Sequence, residues 1–83
     1  MGDVYSGIWE LVEEICGTDL KEDMSMFEDL ELDSVQVIEL VLRIEEQYHI
    51  DFDRYDELME HMDTVKDFVL YFETYINRMR GEM

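Results

Sequence analysis

Apolar residues recur every third or fourth position along most of this chain, and proline is absent from all 83 residues. That period belongs to α-helices with one buried face. Without proline, no ring clash or missing N–H interrupts them. Val4, Ile8, Leu11, Val12 and Ile15 form the first such face, predicting a helix from about Asp3 to Cys16, with Gly17 as its left-handed stop. A second helix is expected from Asp33-Ser34 to about Tyr48. A short third spans about Tyr55 to Met62, with Asp53 as its cap and Tyr55, Leu58, Met59 and Met62 on its buried edge. The fourth opens at Thr64-Val65-Lys66-Asp67, a capping-box pattern with Asp in the acidic place. Val65, Phe68, Val69, Phe72, Ile76 and Met79 carry its core face, and Arg78 and Arg80 suit its C-terminal dipole. The long connection from Thr18 to Asp33 holds Met26, Phe27, Leu30 and Leu32, which need cover, so an ordered loop is expected there. The resulting fold class is all-α: a small antiparallel four-helix bundle with a long first loop and a short third helix, in one domain over residues 1–83.

Composition limits the function. Acidic residues number 23 against six Lys plus Arg, for a formal net charge of −17. Nucleic acid and anionic membrane repel such a field, so basic protein surfaces are the natural partners. Hydrophobic residues at 47%, ten of them aromatic when tyrosine is counted, are enough to close a core, unlike the composition of acidic disordered chains. The single Cys16 excludes an internal disulfide framework and a multi-cysteine zinc site, and fits a small packed residue in a reducing cytoplasm. No segment reads as a signal peptide or a membrane span. Asp51-x-Asp53 invites a calcium loop, but Asp56 stands where glycine is needed and Met62 where glutamate is needed, so no metal site is assigned. Trp9 falls on the flank of the first apolar face and reads as packing.

The second helix is the most informative segment. Val37, Leu40, Val41, Ile44 and Tyr48 fall in one arc of ~100°, wide enough to join a bundle. Val35, Ile38 and Leu42 form a second apolar arc, fenced on its far side by Glu39 and Glu46. This extra stripe is either more core or an exposed docking strip with apolar contact in its middle and ionic steering at its rim. It begins beside Ser34.

By position, Ser34 is a candidate N-cap. Hydrolytic chemistry at its hydroxyl would need a histidine in hydrogen-bond contact. His49 lies at the far end of the same helix and His61 in the short third one, so no catalytic residue is assigned. On these residues alone, an acidic helical protein-interaction module in which Ser34 is only a helix cap stays open.

The run Phe27-Glu28-Asp29-Leu30-Glu31-Leu32-Asp33-Ser34-Val35-Gln36-Val37-Ile38-Glu39-Leu40 resembles the acyl carrier protein family. There an Asp-Ser-Leu motif opens the second helix and its serine carries phosphopantetheine; here the motif is Asp33-Ser34-Val35. The resemblance continues through Glu45-Glu46, Tyr48 and Ile50 and resumes at Thr64-Val65, which looks like the Thr-Val opening of the family's last helix. Three positions depart from the pattern. Glu31 stands where the family often has glycine, so a different loop backbone is expected there; Val35 replaces leucine; Asp53 stands where many members have proline. The stretch from Ser34 to Thr64 is slightly longer than in typical fatty-acid carriers and closer to D-alanyl carriers.

The resemblance implies a discrete carrier without catalytic activity of its own. Phosphopantetheine would be attached covalently to Ser34, beside Asp33, by a phosphopantetheinyl transferase. The arm would hold acyl or aminoacyl groups as thioesters for activating, synthase or transferase enzymes with basic surfaces. Glu31, Glu39 and Glu46 at the rim, with Val35, Ile38 and Leu42 in the strip, are the expected partner-binding residues. Fatty-acyl, D-alanyl, aminoacyl and polyketide cargoes all fit, and a cytoplasmic monomer is expected.

Overall fold

The computed structural model describes residues 4–17 and 19–79. Among them are four helices: α1 (Val4–Cys16), α2 (Ser34–Tyr48), α3 (Tyr55–Glu60) and α4 (Val65–Met79). α1 packs against both α4 and α2. One core runs through the bundle. Ile8 and Val12 of α1, Leu40, Val41 and Ile44 of α2, and Phe68, Val69, Phe72 and Ile76 of α4 are completely buried. Burying a Leu, Ile or Phe side chain contributes about 1.5–3 kcal/mol, so this shared seam is what holds the helices together. Gly7 lies where the Tyr48 ring crosses α1; a Cβ at that position would collide with the Tyr48 hydroxyl. A glycine inside a helix costs roughly 1 kcal/mol, and here it lets the C-terminal end of α2 lie close to α1.

The expected helix stop at Gly17 is present: its φ is +101° and its N–H donates to Glu13 O at 2.8 Å. Asp3, Thr18 and Arg80 lie outside the described residues. The long connection is ordered by its own hydrogen bonds. Ser25 N–H donates to Asp29 Oδ2 at 2.8 Å, Glu28 N–H to Ser25 Oγ at 3.1 Å, and Leu32 N–H to Met26 O at 3.2 Å. Met26 and Leu32 are buried and Leu30 half-buried. Phe27, expected to be covered, is instead 38% exposed, because the turns around Ser25 point Met26 rather than Phe27 into the core.

The same loop closes the start of α4. A helix leaves its first N–H groups without internal partners. Here Val65 N–H donates to Met24 O at 2.9 Å and Lys66 N–H to Glu22 O at 3.1 Å. Asp67 N–H donates to Thr64 Oγ1 at 3.2 Å, as the capping pattern predicts. Met26 N–H to Asp63 O at 3.0 Å completes the clasp.

α3 departs from expectation. It ends at Glu60, two residues early, and its N-cap is Arg54, with no side-chain cap bond, instead of Asp53. Leu58 and Met62 are buried, but Met59 is exposed. A helix of six residues presents too narrow an arc to bury all four apolar residues. Met79 in the last turn of α4 is exposed as well. The loop before α3 is held from both sides. Phe52 is buried against Tyr55, Tyr71, Phe72 and Tyr75, its N–H donates to Glu45 Oε2 at 2.6 Å, and Tyr75 Oη donates to Asp51 O at 2.9 Å.

Candidate functional site

The site is built at the N-terminus of α2. Buried Leu32 anchors the incoming chain, and the next residue, Asp33, takes an extended conformation with φ −109° and ψ 178°. Its Oδ1 accepts from Gln36 N–H at 2.9 Å, and Gln36 Oε1 accepts from Asp33 N–H at 3.3 Å. This reciprocal pair is a complete capping box. The cap of α2 is therefore Asp33 and not Ser34, which corrects the positional reading. The signal is in the sequence: Asp33-x-x-Gln36 has the box spacing.

Displacing the cap by one residue changes what Ser34 is. It is the first helical residue, exposed, and its hydroxyl has no hydrogen-bond partner among the described residues. Oγ is free for chemistry by another protein, and it stands at the positive end of a 15-residue helix. A phosphodiester placed there meets unpaired backbone N–H groups and the helix dipole, which offset part of the repulsion from Asp33. No base stands at hand. His49 is the C-cap of α2, in the left-handed region with φ 56°, about 22 Å along the helix from Ser34. His61 closes α3 and stacks on Tyr71 at 5.7 Å. The exposed hydroxyl at the helix N-terminus could hold a phosphate-linked group.

The second apolar stripe of α2 is surface. Val35 is 70% exposed, Ile38 45% and Leu42 51%, while Val37, Leu40, Val41 and Ile44 are buried. Glu31, Glu39 and Glu46 are exposed around the strip. The three carboxylates are not equivalent. Glu39 is 3.8 Å from Arg43 Nη2, and Arg43 Nη1 reaches Glu14 Oε1 on α1 at 3.3 Å. Glu31 and Glu46 have no ion pair or hydrogen bond to another side chain among the described residues. Glu31 has φ 55°, in the left-handed region that glycine favours, although the residue is glutamate.

Two other features lie apart from this end. An open groove of about 670 Å³ between α3 and α4 includes Arg54, Glu57, His61, Leu70, Tyr71 and Tyr75, and Ser34 does not line it. Cys16 is half-buried, and burial raises its thiol pKa, as suits a packing residue. Among the described residues no group of three or more potential ligands could hold a metal ion, and no helix is long and apolar enough to cross a membrane.

A small helical bundle with an exposed, uncommitted serine opening an acidic helix defines a class of carrier domain. The chain belongs to the acyl carrier protein family: residues 6–72 match the family model described as a phosphopantetheine attachment site. It is 38% identical over 74 residues to an acyl carrier protein of Wolinella succinogenes, covering 86% of this chain and 95% of the relative. It is 36% identical over 74 residues, with the same coverage, to an acyl carrier protein of Helicobacter hepaticus. A meromycolate extension acyl carrier protein of Mycobacterium leprae is 30% identical over 74 residues, covering 86% of this chain and 63% of the relative. The family's cofactor is covalently attached phosphopantetheine, and its members are carriers that work with modifying and acyl-handling enzymes.

Proposed function

We propose that Ser34 is the attachment residue and that the protein carries acyl groups as thioesters on a phosphopantetheine arm. The observation that carries this reading is the exposed Ser34 hydroxyl at the first position of α2, released from capping by the Asp33–Gln36 box. In the loading step a P–O bond forms at Ser34 Oγ. The pyrophosphate bond of coenzyme A breaks, its nucleotide half leaves, and the serine proton passes to a base on the transferase. The arm then supplies a thiol whose thioesters are activated for acyl transfer. This chain supplies the tether point, the helix dipole beside the new anion, and the recognition surface.

That surface is the strip of Val35, Ile38 and Leu42 with Glu31, Glu39 and Glu46 around it. Twelve acidic side chains against Arg43 and Arg54 in residues 28–60 steer it toward Lys- or Arg-rich partners in a salt-sensitive, transient way. The partners are a phosphopantetheinyl transferase and acyl- or aminoacyl-handling enzymes with basic faces. The names of the relatives, acyl carrier proteins, favour acyl cargo. The protein works as a monomer in the reducing cytoplasm, where the arm's thiol stays free, and catalyses nothing itself.

Intact-protein mass spectrometry tests this after incubation with coenzyme A, magnesium and a broad-specificity transferase. A phosphopantetheine mass shift in the wild type, absent in Ser34→Ala, is expected. A folded sample that repeatedly gains nothing overturns the assignment.

A further inference from the structure

α3 runs beside α4 but is less than half its length, six residues against 15, or about 9 Å against about 22 Å. The rest of that side of α4 is left as the open groove of about 670 Å³. Asp67, Leu70, Tyr71, Thr74, Tyr75 and Arg78 stand at i, i+3, i+4, i+7, i+8 and i+11, so they share one face of about three turns, and all six line the groove. The aromatic floor is already set in place. Tyr71 Oη donates to Glu57 Oε1 and its ring stacks on His61, while Tyr75 Oη donates to Asp51 O. Rings fixed in this way lose little freedom when they are covered, which suits them as anchors for a partner. Leu70 is exposed beside them.

The rim is polarised along its length. The chain enters α3 beside Tyr75 and leaves it toward the start of α4. Arg54 and Arg78 therefore stand toward one end of the groove, and Glu60, Asp63 and Asp67 toward the other. The sequence has only six Lys plus Arg. Two of them are placed here, exposed, and neither forms a salt bridge among the described residues. The floor is a helix with no free backbone edge, so an occupant is recognised through side chains, by the helix-in-groove mode.

We propose that the α3–α4 groove is a second docking face, which takes an amphipathic helix of a partner protein. That helix is about three turns long and lays an apolar face on Tyr71, Tyr75 and Leu70. It is acidic where it meets Arg54 and Arg78 and basic where it meets Glu60, Asp63 and Asp67. A second copy set antiparallel would also match the two ends, but each copy brings a net charge of −17, so the occupant is a different chain. Ser34 does not line the groove, so one protein can hold this chain while the α2 face is presented to another. The docking itself does not depend on Ser34 being the attachment residue.

The probe is a net-neutral synthetic peptide of about 12 residues, stapled into a helix on its outer side. It carries leucine and phenylalanine on one face, glutamates at one end and lysines at the other. Titrated into the full chain, it should shift the amide NMR signals of Leu70, Tyr71, Thr74 and Tyr75 and leave those of Val35, Ile38 and Leu42 in place. Arg54→Glu and Arg78→Glu should each weaken binding about fivefold at low salt. Both side chains are exposed, so both variants should keep the wild-type melting curve, and either alone is enough for the test. Lys21→Glu makes the same charge change on the first loop and should leave binding unchanged. No shift in the groove at millimolar peptide, shifts on the α2 strip instead, equal weakening by Lys21→Glu, or a dimer that covers the groove overturns the proposal. With the peptide saturating, the transferase should modify Ser34 at an unchanged rate, and a loss of rate overturns the separateness of the two faces. A wild type that is never modified overturns the Ser34 reading and leaves this docking face standing.

Discussion

The two apolar stripes of α2 are made of the same residue types, both at helical spacing, yet one is core and the other is surface. Val37, Leu40, Val41 and Ile44 are buried between α1 and the rest of the bundle, whereas Val35, Ile38 and Leu42 face out, between 45% and 70% exposed. Hydrophobicity did not sort them. Position relative to α1 did, because α2 follows a loop that is clamped to α4 and ends with Tyr48 seated over Gly7. Once both ends are fixed, the rotation of the helix is fixed too, and a single face turns inward. The outward stripe then persists as an apolar surface with carboxylates beside it, which is the composition of an interface centre with a polar rim.

The sharpest way to break this comparison is to truncate one leucine from each stripe. Leu40→Ala should destabilise by about 2–5 kcal/mol, because the cavity is enclosed on all sides. Leu42→Ala should change stability by no more than about 0.5 kcal/mol. Urea denaturation of the two variants checks this. Equal losses would mean that the outer stripe is covered in solution.

The same contrast recurs at the start of α2, between two adjacent polar residues. Asp33 is spent on structure and Ser34 is left over. Asp33→Ala should cost about 1 kcal/mol through the lost cap, while Ser34→Ala should leave the unfolding midpoint close to wild type. A capping serine would give the reverse order. Circular dichroism during denaturant unfolding distinguishes the two.

The helical frame could be read from the sequence because it rests on periodicity and on local punctuation. Gly17 stops α1, Thr64 caps α4 and the core face of α4 through Ile76 is correct, each determined by neighbours within one or two turns. The misplacements share another cause. Met59, Met79 and Phe27 have helical or apolar credentials, but their exposure is decided by how far a short helix or loop reaches across the bundle. No local pattern contains that distance. At the site, the motif points to Ser34 directly, but its freedom depends on the Asp33–Gln36 box, a three-residue spacing present in the sequence. Glu31 shows the opposite limit. Its residue type does not announce a left-handed turn, which is fixed by the bonds of Leu30 and Leu32 on either side.

Carboxylates divide in the same way as the leucines. Away from the strip, several are engaged by internal donors: Tyr5 Oη donates to Glu22 Oε2 at 2.8 Å, and Tyr71 Oη to Glu57 Oε1 at 2.9 Å. Burial, then the bond and charge of the partner carboxylate, push both phenols from the ordinary 10.0 up to about 12. Around the strip, Glu31 and Glu46 have no such donor among the described residues. The two groups should separate in alkali. A tyrosine whose pKa is higher in the folded than in the unfolded chain holds its proton longer when folded, so unfolding releases protons between these values. Its contribution is complete below pH 10 and is lost as pH rises toward about 12. The midpoint of urea unfolding should therefore fall across that window. Tyr5→Phe and Tyr71→Phe should each flatten the fall, by a modest amount because both hydroxyls are exposed and water screens them. Glu46→Gln, on the strip, should leave the slope unchanged. If it flattened the slope as much as the phenylalanine variants do, the strip carboxylates would have internal partners after all.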